Sequence, residues 1–119
     1  MKEIQPKEVW FVKFPFEEDK TRYTQRPGIV LSINDEEACI LTVKVTSKLS
    51  RENDKFDIGL FEWEQANLDR PSVARISKMQ YIEKEKFDKK IGTITNRDWK
   101  NIQTTVKRFF EYIQKLDRT

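Results

Sequence analysis

The chain has 119 residues, 37% of them hydrophobic and 36% charged, which suits one ordinary domain with one core. Its net charge of +3, from 23 basic and 20 acidic residues, is too small to mark a nucleic-acid binder alone. It has no histidine and one cysteine, so Cys/His zinc sites, Ser-His-Asp and Cys-His catalysis and an intrachain disulfide are excluded.

"EVWFVKF", Glu8 to Phe14, predicts a first strand, with Trp10, Val12 and Phe14 on one face. Pro15 ends it. Phe16 to Gln25 is then a polar connection, long for a simple hairpin. "RPGIVLSI" predicts a second strand over Gly28 to Ile33. "NDEEA", Asn34 to Ala38, supplies a turn, and "CILTVKV" a third strand. Two strands joined by five polar residues predict an antiparallel hairpin. Cys39 lies among apolar strand residues and reads as a buried structural thiol.

Leu49 to Lys55 is a charged loop. "FDIGLF" predicts a short strand, with Gly59 marking a bulge or close approach. "EWEQANL" predicts a short central helix, closed by Pro71. Ser72 to Ile82 is another strand, whose apolar residues break strict alternation and so predict a bulge. "EKEKFDKK" reads as a solvated turn or helical turn. The last element is a helix at about 96–117. Thr95 is its N-cap, Asp98 favours its positive end, and Trp99, Ile102, Val106, Phe109, Ile113 and Leu116 form one stripe.

The order predicts a mainly β fold with α, of α+β class: a small curled antiparallel sheet or SH3-like barrel with a short central helix and a long C-terminal one. Residues 1–119 are expected to form a single domain. No apolar run approaches the roughly 20 residues needed to span a bilayer, and the N-terminus has no apolar segment of a secretion signal. A cytoplasmic setting is expected, with no membrane contact.

No glycine-rich phosphate loop is present. The carboxylate runs "EED" and "NDEE" read as solvated turns, so no metal and no cofactor are expected. Three polar groups stand at strand edges instead. Arg26 precedes "PGIVL", Thr46 and Ser47 follow "ILTVKV", and Arg75 lies inside "SVARIS". A hairpin of the second and third strands brings Arg26 and Thr46–Ser47 to the same open end. That combination suits a phosphodiester: the guanidinium offers a charged fork to phosphate oxygens, and the hydroxyls add donors. In RNA the adjacent 2′-hydroxyl is a built-in nucleophile, and donors aimed at the phosphate help most in the transition state. Turn chemistry is the structural alternative for Thr46 and Ser47.

The stretches "EVWFVKFPF", "RPGIVL", "KVTSK", "LDRPSVARISKMQYI" and "KKIGTIT" resemble, in order and spacing, the MazF/PemK family of toxin endoribonucleases from type II toxin–antitoxin modules. The resemblance covers roughly residues 7–98. It implies metal-independent, sequence-selective cleavage of single-stranded RNA, giving a 2′,3′-cyclic phosphate and a 5′-hydroxyl. It also implies a barrel-like fold, a homodimer and a cognate antitoxin. By resemblance Arg26 is acid or phosphate clamp, Thr46 and Ser47 position the phosphate, and Arg75 adds charge or serves as acid. Glu17, Glu18, Tyr23, Lys48 and Ser77 are candidate RNA contacts, Tyr23 as a stacking platform. Trp10, Phe14 and Phe16 are further aromatic candidates, with a core role the stronger reading for Trp10 and Phe14.

Two departures stand out. Lys7-Glu8 replaces the Gly-Asp of many members, which bears on a turn. Ser77-Lys78 stands where many have Asp-Gln, which leaves the general base unassigned, with Glu17 or Glu18 as substitutes. Two alternatives therefore stay open: a non-nuclease toxin binding DNA gyrase in the manner of the CcdB proteins, which share the barrel architecture, and a degenerate relative that binds only RNA or antitoxin.

Overall fold

The computed structural model describes residues 3–47 and 54–118. Along the chain run β1 (Glu8–Pro15), β2 (Tyr23–Asn34), β3 (Cys39–Ser47), β4 (Asp57–Gly59), β5 (Ser72–Glu83), a 3-10 turn (Lys84–Lys86), β6 (Phe87–Thr93) and α1 (Asn96–Asp117). The six strands form one antiparallel sheet in the order β4-β5-β3-β2-β1-β6.

The sheet buries apolar residues on both faces, because its longer strands contribute to two cores. Val9, Ile29, Val43, Val45, Ala74 and Ile76 form one core with Ile102 of α1. Trp10, Val12, Phe14, Val30, Ile40, Ile82 and Phe87 form the other. At about 25 cal/mol per Å², these side chains supply most of the folding drive. The bulge expected in β5 is present: Thr42 pairs with Gln80, but Lys44 pairs with Arg75. The extra β5 residues let Ile76 and Ile82 enter different cores.

Thr95 caps α1 as expected, its side chain accepting from the Asp98 backbone N–H. Asp98 does more than favour the helix's positive end. It is 1% exposed, and its carboxylate accepts the backbone N–H groups of Phe61 at 2.9 Å and Glu62 at 2.8 Å. Leu116, at the far end of the predicted stripe, is exposed, as are Phe110 and Tyr112. The buried residues of α1 lie in its first half, while Phe109, further along, packs partly buried against core Phe56.

Five expectations need correction. "EWEQANL" is a run of turns, not a helix. Asp98 holds the N–H groups at its start, and Asn67, at φ 63°, closes it after a single turn, with Leu68 N–H donating to the Trp63 carbonyl. Asparagine tolerates that left-handed backbone. The solvated or helical turn expected at "EKEKFDKK" covers only Lys84–Lys86, a 3-10 turn, and Phe87 begins a strand paired with β1. Phe87 is fully buried edge-on to Trp10, with centroids 6.2 Å apart, so one aromatic pins an otherwise polar edge strand. The second strand starts early, at Tyr23, paired with Pro15. Cys39 is half-buried, not buried. Gly59 has open space around it, so neither close approach nor a bulge explains it. The close approach lies at Gly92, where an added Cβ would sit 2.3 Å from the Ala66 carbonyl oxygen.

Candidate active site

Gly28 of β2 stands opposite Lys44 of β3. Two residues beyond that pair, at the open end of the hairpin, are Arg26 and Thr46. Period-two alternation puts Arg26, Lys44 and Thr46 on one face and Ser47 on the other, beside Ser72 of β5. Arg26, Thr46 and Ser47 all line one cleft of about 310 Å³. Phe11, Ile91 and the 67–70 turn complete its wall. Asn67 holds that turn to β6, its amide donating to the Ile91 carbonyl at 3.2 Å. Two of the three groups singled out at strand edges, Arg26 and the Thr46–Ser47 step, are thus brought together.

Arg75 is not in this cleft. It lies opposite Lys44, one strand away, and its Nε is 3.3 Å from the Asp57 carboxylate. That pair explains how a cation is accommodated inside an apolar strand. Ser77 donates a hydrogen bond to the Asp54 carboxylate. Burial alone would raise the Asp54 carboxyl. The Ser77 hydroxyl, the Phe56 N–H, Arg75 and Lys78 outweigh it and hold the group below the usual carboxylate range. A carboxylate from the β3–β4 connection therefore stands beside Ser77.

Glu17 is exposed and pairs with Lys78 at 3.1 Å, which with Lys44 and Lys20 lowers its carboxyl. Glu18 is exposed on the same loop and lies outside the cleft lining. Tyr23 is exposed, with the Lys86 ammonium 4.5 Å from its ring centroid, but it also lies outside the cleft. Trp10 and Phe14 are core, while Phe16 is half-buried beneath the Arg22 guanidinium. Lys48 falls outside the described residues. Among the described residues, no group of three or more His, Cys, Asp and Glu side chains gathers to hold a metal.

Sequence reasoning missed Phe11, Lys44, Asp54 and the 67–70 wall. Phe11 was legible as the outward residue of β1, between Trp10 and Val12. The others depend on which distant segments meet, which spacing does not encode.

The family model described as PemK-like, MazF-like toxin of type II toxin-antitoxin system matches residues 5–110. The chain belongs to this family. Its fold is similar to that of solved members and of mycobacterial endoribonucleases. An endoribonuclease in complex with its cognate antitoxin, from a mycobacterial species, superposes with a TM-score of 0.66 at 12% identity, over 87% of this chain and 91% of that one. A second mycobacterial endoribonuclease gives 0.66 at 14% identity, over 89% of each chain. The Mycobacterium tuberculosis toxin MazF-mt6 gives 0.66 at 12% identity, over 87% and 96%. Comparison with curated proteins gives no match.

Within a PemK-like, MazF-like toxin, the position of Lys7 becomes intelligible. Its φ is 76°, in the left-handed region that favours glycine, where many family members carry Gly. Its backbone is held from both sides, Lys7 N–H donating to Val30 O at 3.0 Å and Ile94 N–H to Lys7 O at 2.8 Å. Among the described residues no helix is long and apolar enough to cross a membrane.

Proposed function

We propose that this chain is a toxin that cleaves single-stranded RNA without a metal, at the cleft between β2 and β3. The observation that carries the reading is the meeting of Arg26, Thr46 and Ser47 at one hairpin end. Arg26 is exposed, so its guanidinium is free to take the two non-bridging oxygens of a phosphodiester as a bidentate clamp. Thr46 donates from the same face and Ser47 from the opposite one. The 2′-hydroxyl attacks the adjacent phosphorus, the 5′-oxygen leaves, and the products are a 2′,3′-cyclic phosphate and a 5′-hydroxyl. Charge that builds on the phosphate oxygens meets donors already in place.

Phe11, in the cleft wall, offers a flat face for an unpaired base next to the scissile linkage. Tyr23 and Lys86 extend the contact along the strand. The toxin acts in the cytoplasm as a homodimer and is held inactive by a cognate antitoxin.

The test is cleavage of single-stranded RNA by purified protein in excess EDTA. Products with cyclic phosphate and 5′-hydroxyl ends support the mechanism. EDTA-sensitive cutting, or 5′-phosphate ends, contradicts it. Growth arrest with intact RNA and trapped gyrase–DNA complexes contradicts RNA cleavage altogether.

A further inference from the structure

Lys44 occupies the centre of the charged face and has no role in the reading above. It lies directly opposite Gly28 on β2 and Arg75 on β5. Gly28 has no side chain to block it, and a Cβ there would already meet Thr42, Phe14 and Val12 at 2.8 to 3.2 Å. The Lys44 chain therefore crosses β2, and its ammonium comes to 5.5 Å from the Phe14 ring centroid on β1. This path keeps it on the face that carries Arg26 and Thr46, one residue from the cleft-lining Val45 and outside the lining itself.

The charged groups facing this ammonium are Arg26 from β2, Arg75 and Lys78 from β5, and Glu17 from the loop after β1. Asp57 is taken by Arg75, Glu17 by Lys78, and Asp54 by Ser77. Among the described residues, neither Lys44 nor Arg26 has a carboxylate within ion-pair distance. A half-buried ammonium among three cations and without its own counter-ion is unfavourable for folding. An anion bound between Lys44 and Arg26 removes that cost.

We propose that Lys44 is a catalytic residue, the proton donor to the departing 5′-oxygen, while Arg26 is the permanently charged clamp. This rests on the RNA-cleaving reading and gives that site its missing acid. A guanidinium does not release its proton in proteins, whereas an ammonium can. Desolvation, then Arg26, Arg75 and Lys78 push the Lys44 ammonium below its ordinary value against the opposing pull of Glu17, towards the range where proton donors work best.

In the step, the 2′-oxygen forms a bond to phosphorus and its proton passes to a solvent water. The bond from phosphorus to the 5′-oxygen breaks, its electron pair stays on that oxygen, and the Lys44 ammonium supplies the proton. The neutral amine then recovers a proton from solvent.

The test is single-turnover cleavage of two RNAs that carry one mapped cleavage site. One has the natural 5′-oxygen and the other a bridging 5′-sulfur, which leaves as thiolate and needs no proton. Wild type is compared with Lys44→Arg and Lys44→Met. We expect both variants to cut the oxygen substrate about 100-fold or more slower and the sulfur substrate at near wild-type rate. The alkaline limb of the wild-type pH profile should be absent from both variants.

A Lys44→Arg variant at wild-type rate on the oxygen substrate overturns the proposal, because charge alone then suffices. Equal slowing on both substrates overturns it too, and assigns Lys44 to positioning. Wild type that cuts neither RNA overturns the RNA-cleaving reading itself. Lys44→Arg keeps the charge, so the comparison survives if Lys44→Met fails to fold.

Discussion

Arg75 Nε lies 3.3 Å from the Asp57 carboxylate, and the Asp57 side chain is only 5% exposed. This pair ties the edge strand β4 to β5. Removing the cation leaves a buried carboxylate without its partner, so Arg75→Ala should lower stability by about 3 kcal/mol. Urea unfolding checks this. A loss under about 0.5 kcal/mol, the range of an exposed pair, would show that the pair is not structural. Because Arg75 is engaged in this way, its removal should slow cleavage far less than removal of Arg26, at temperatures where both variants are folded.

Lys7 holds a left-handed backbone at φ 76°, which costs an L residue about 1–2 kcal/mol. Lys7→Gly should therefore stabilise the protein by about 1 kcal/mol. The exposed Lys7 Nζ to Asn96 bond, at 2.6 Å, is lost and offsets little. A lower melting temperature for Lys7→Gly would mean the ammonium matters more than the backbone.

Gly92 and Gly59 make a matched pair. An Ala at Gly92 drives its Cβ into the Ala66 carbonyl, a backbone atom that cannot step aside. It should cost about 2 kcal/mol or more and loosen the 61–68 turn, whose Asn67 and Leu68 line the cleft. Gly59→Ala meets nothing within 4 Å and should be neutral or stabilising by about 0.5 kcal/mol. Thermal melts of the two variants, followed by cleavage assays, separate them. Equal melting temperatures would contradict this placement of the 61–68 turn against β6.

The acid limb of stability tests the Asp54–Ser77 contact. Asp54 has a depressed folded-state value despite the opposing effect of burial. Its contribution is thus complete above the unfolded value, about 3.9, and disappears as pH falls through the lower folded value. Ser77→Ala should destabilise the protein at pH 7 and narrow its difference from wild type as pH falls below the unfolded value of about 3.9. A difference that stays constant across that range would remove the carboxylate from the account.

Much of the fold was legible where one periodicity ran unbroken. The alternation of Trp10, Val12 and Phe14 placed β1, and the three- and four-residue steps from Trp99 placed α1. The open end of the β2–β3 hairpin was legible for the same reason, since a turn at Asn34–Ala38 leaves Arg26 and Thr46 as neighbours. β6 was not legible, because a single buried Phe87 amid Asp and Lys carries no period. The 61–68 turn looked helical because its composition is. What decides its conformation is Asp98, more than thirty residues away in sequence. The Lys44 environment was not legible because it also needs β1 and β5, which supply Phe14, Arg75 and Lys78.

The central claim is that one guanidinium and two hydroxyls act on one phosphodiester. Single-turnover cleavage of a single-stranded RNA in EDTA by wild type and Arg26→Ala, with folding confirmed by circular dichroism, tests it most directly. A folded Arg26→Ala protein should cut at least about 100-fold more slowly. A folded variant that cuts at the wild-type rate would contradict the assignment of this cleft as the site of cleavage.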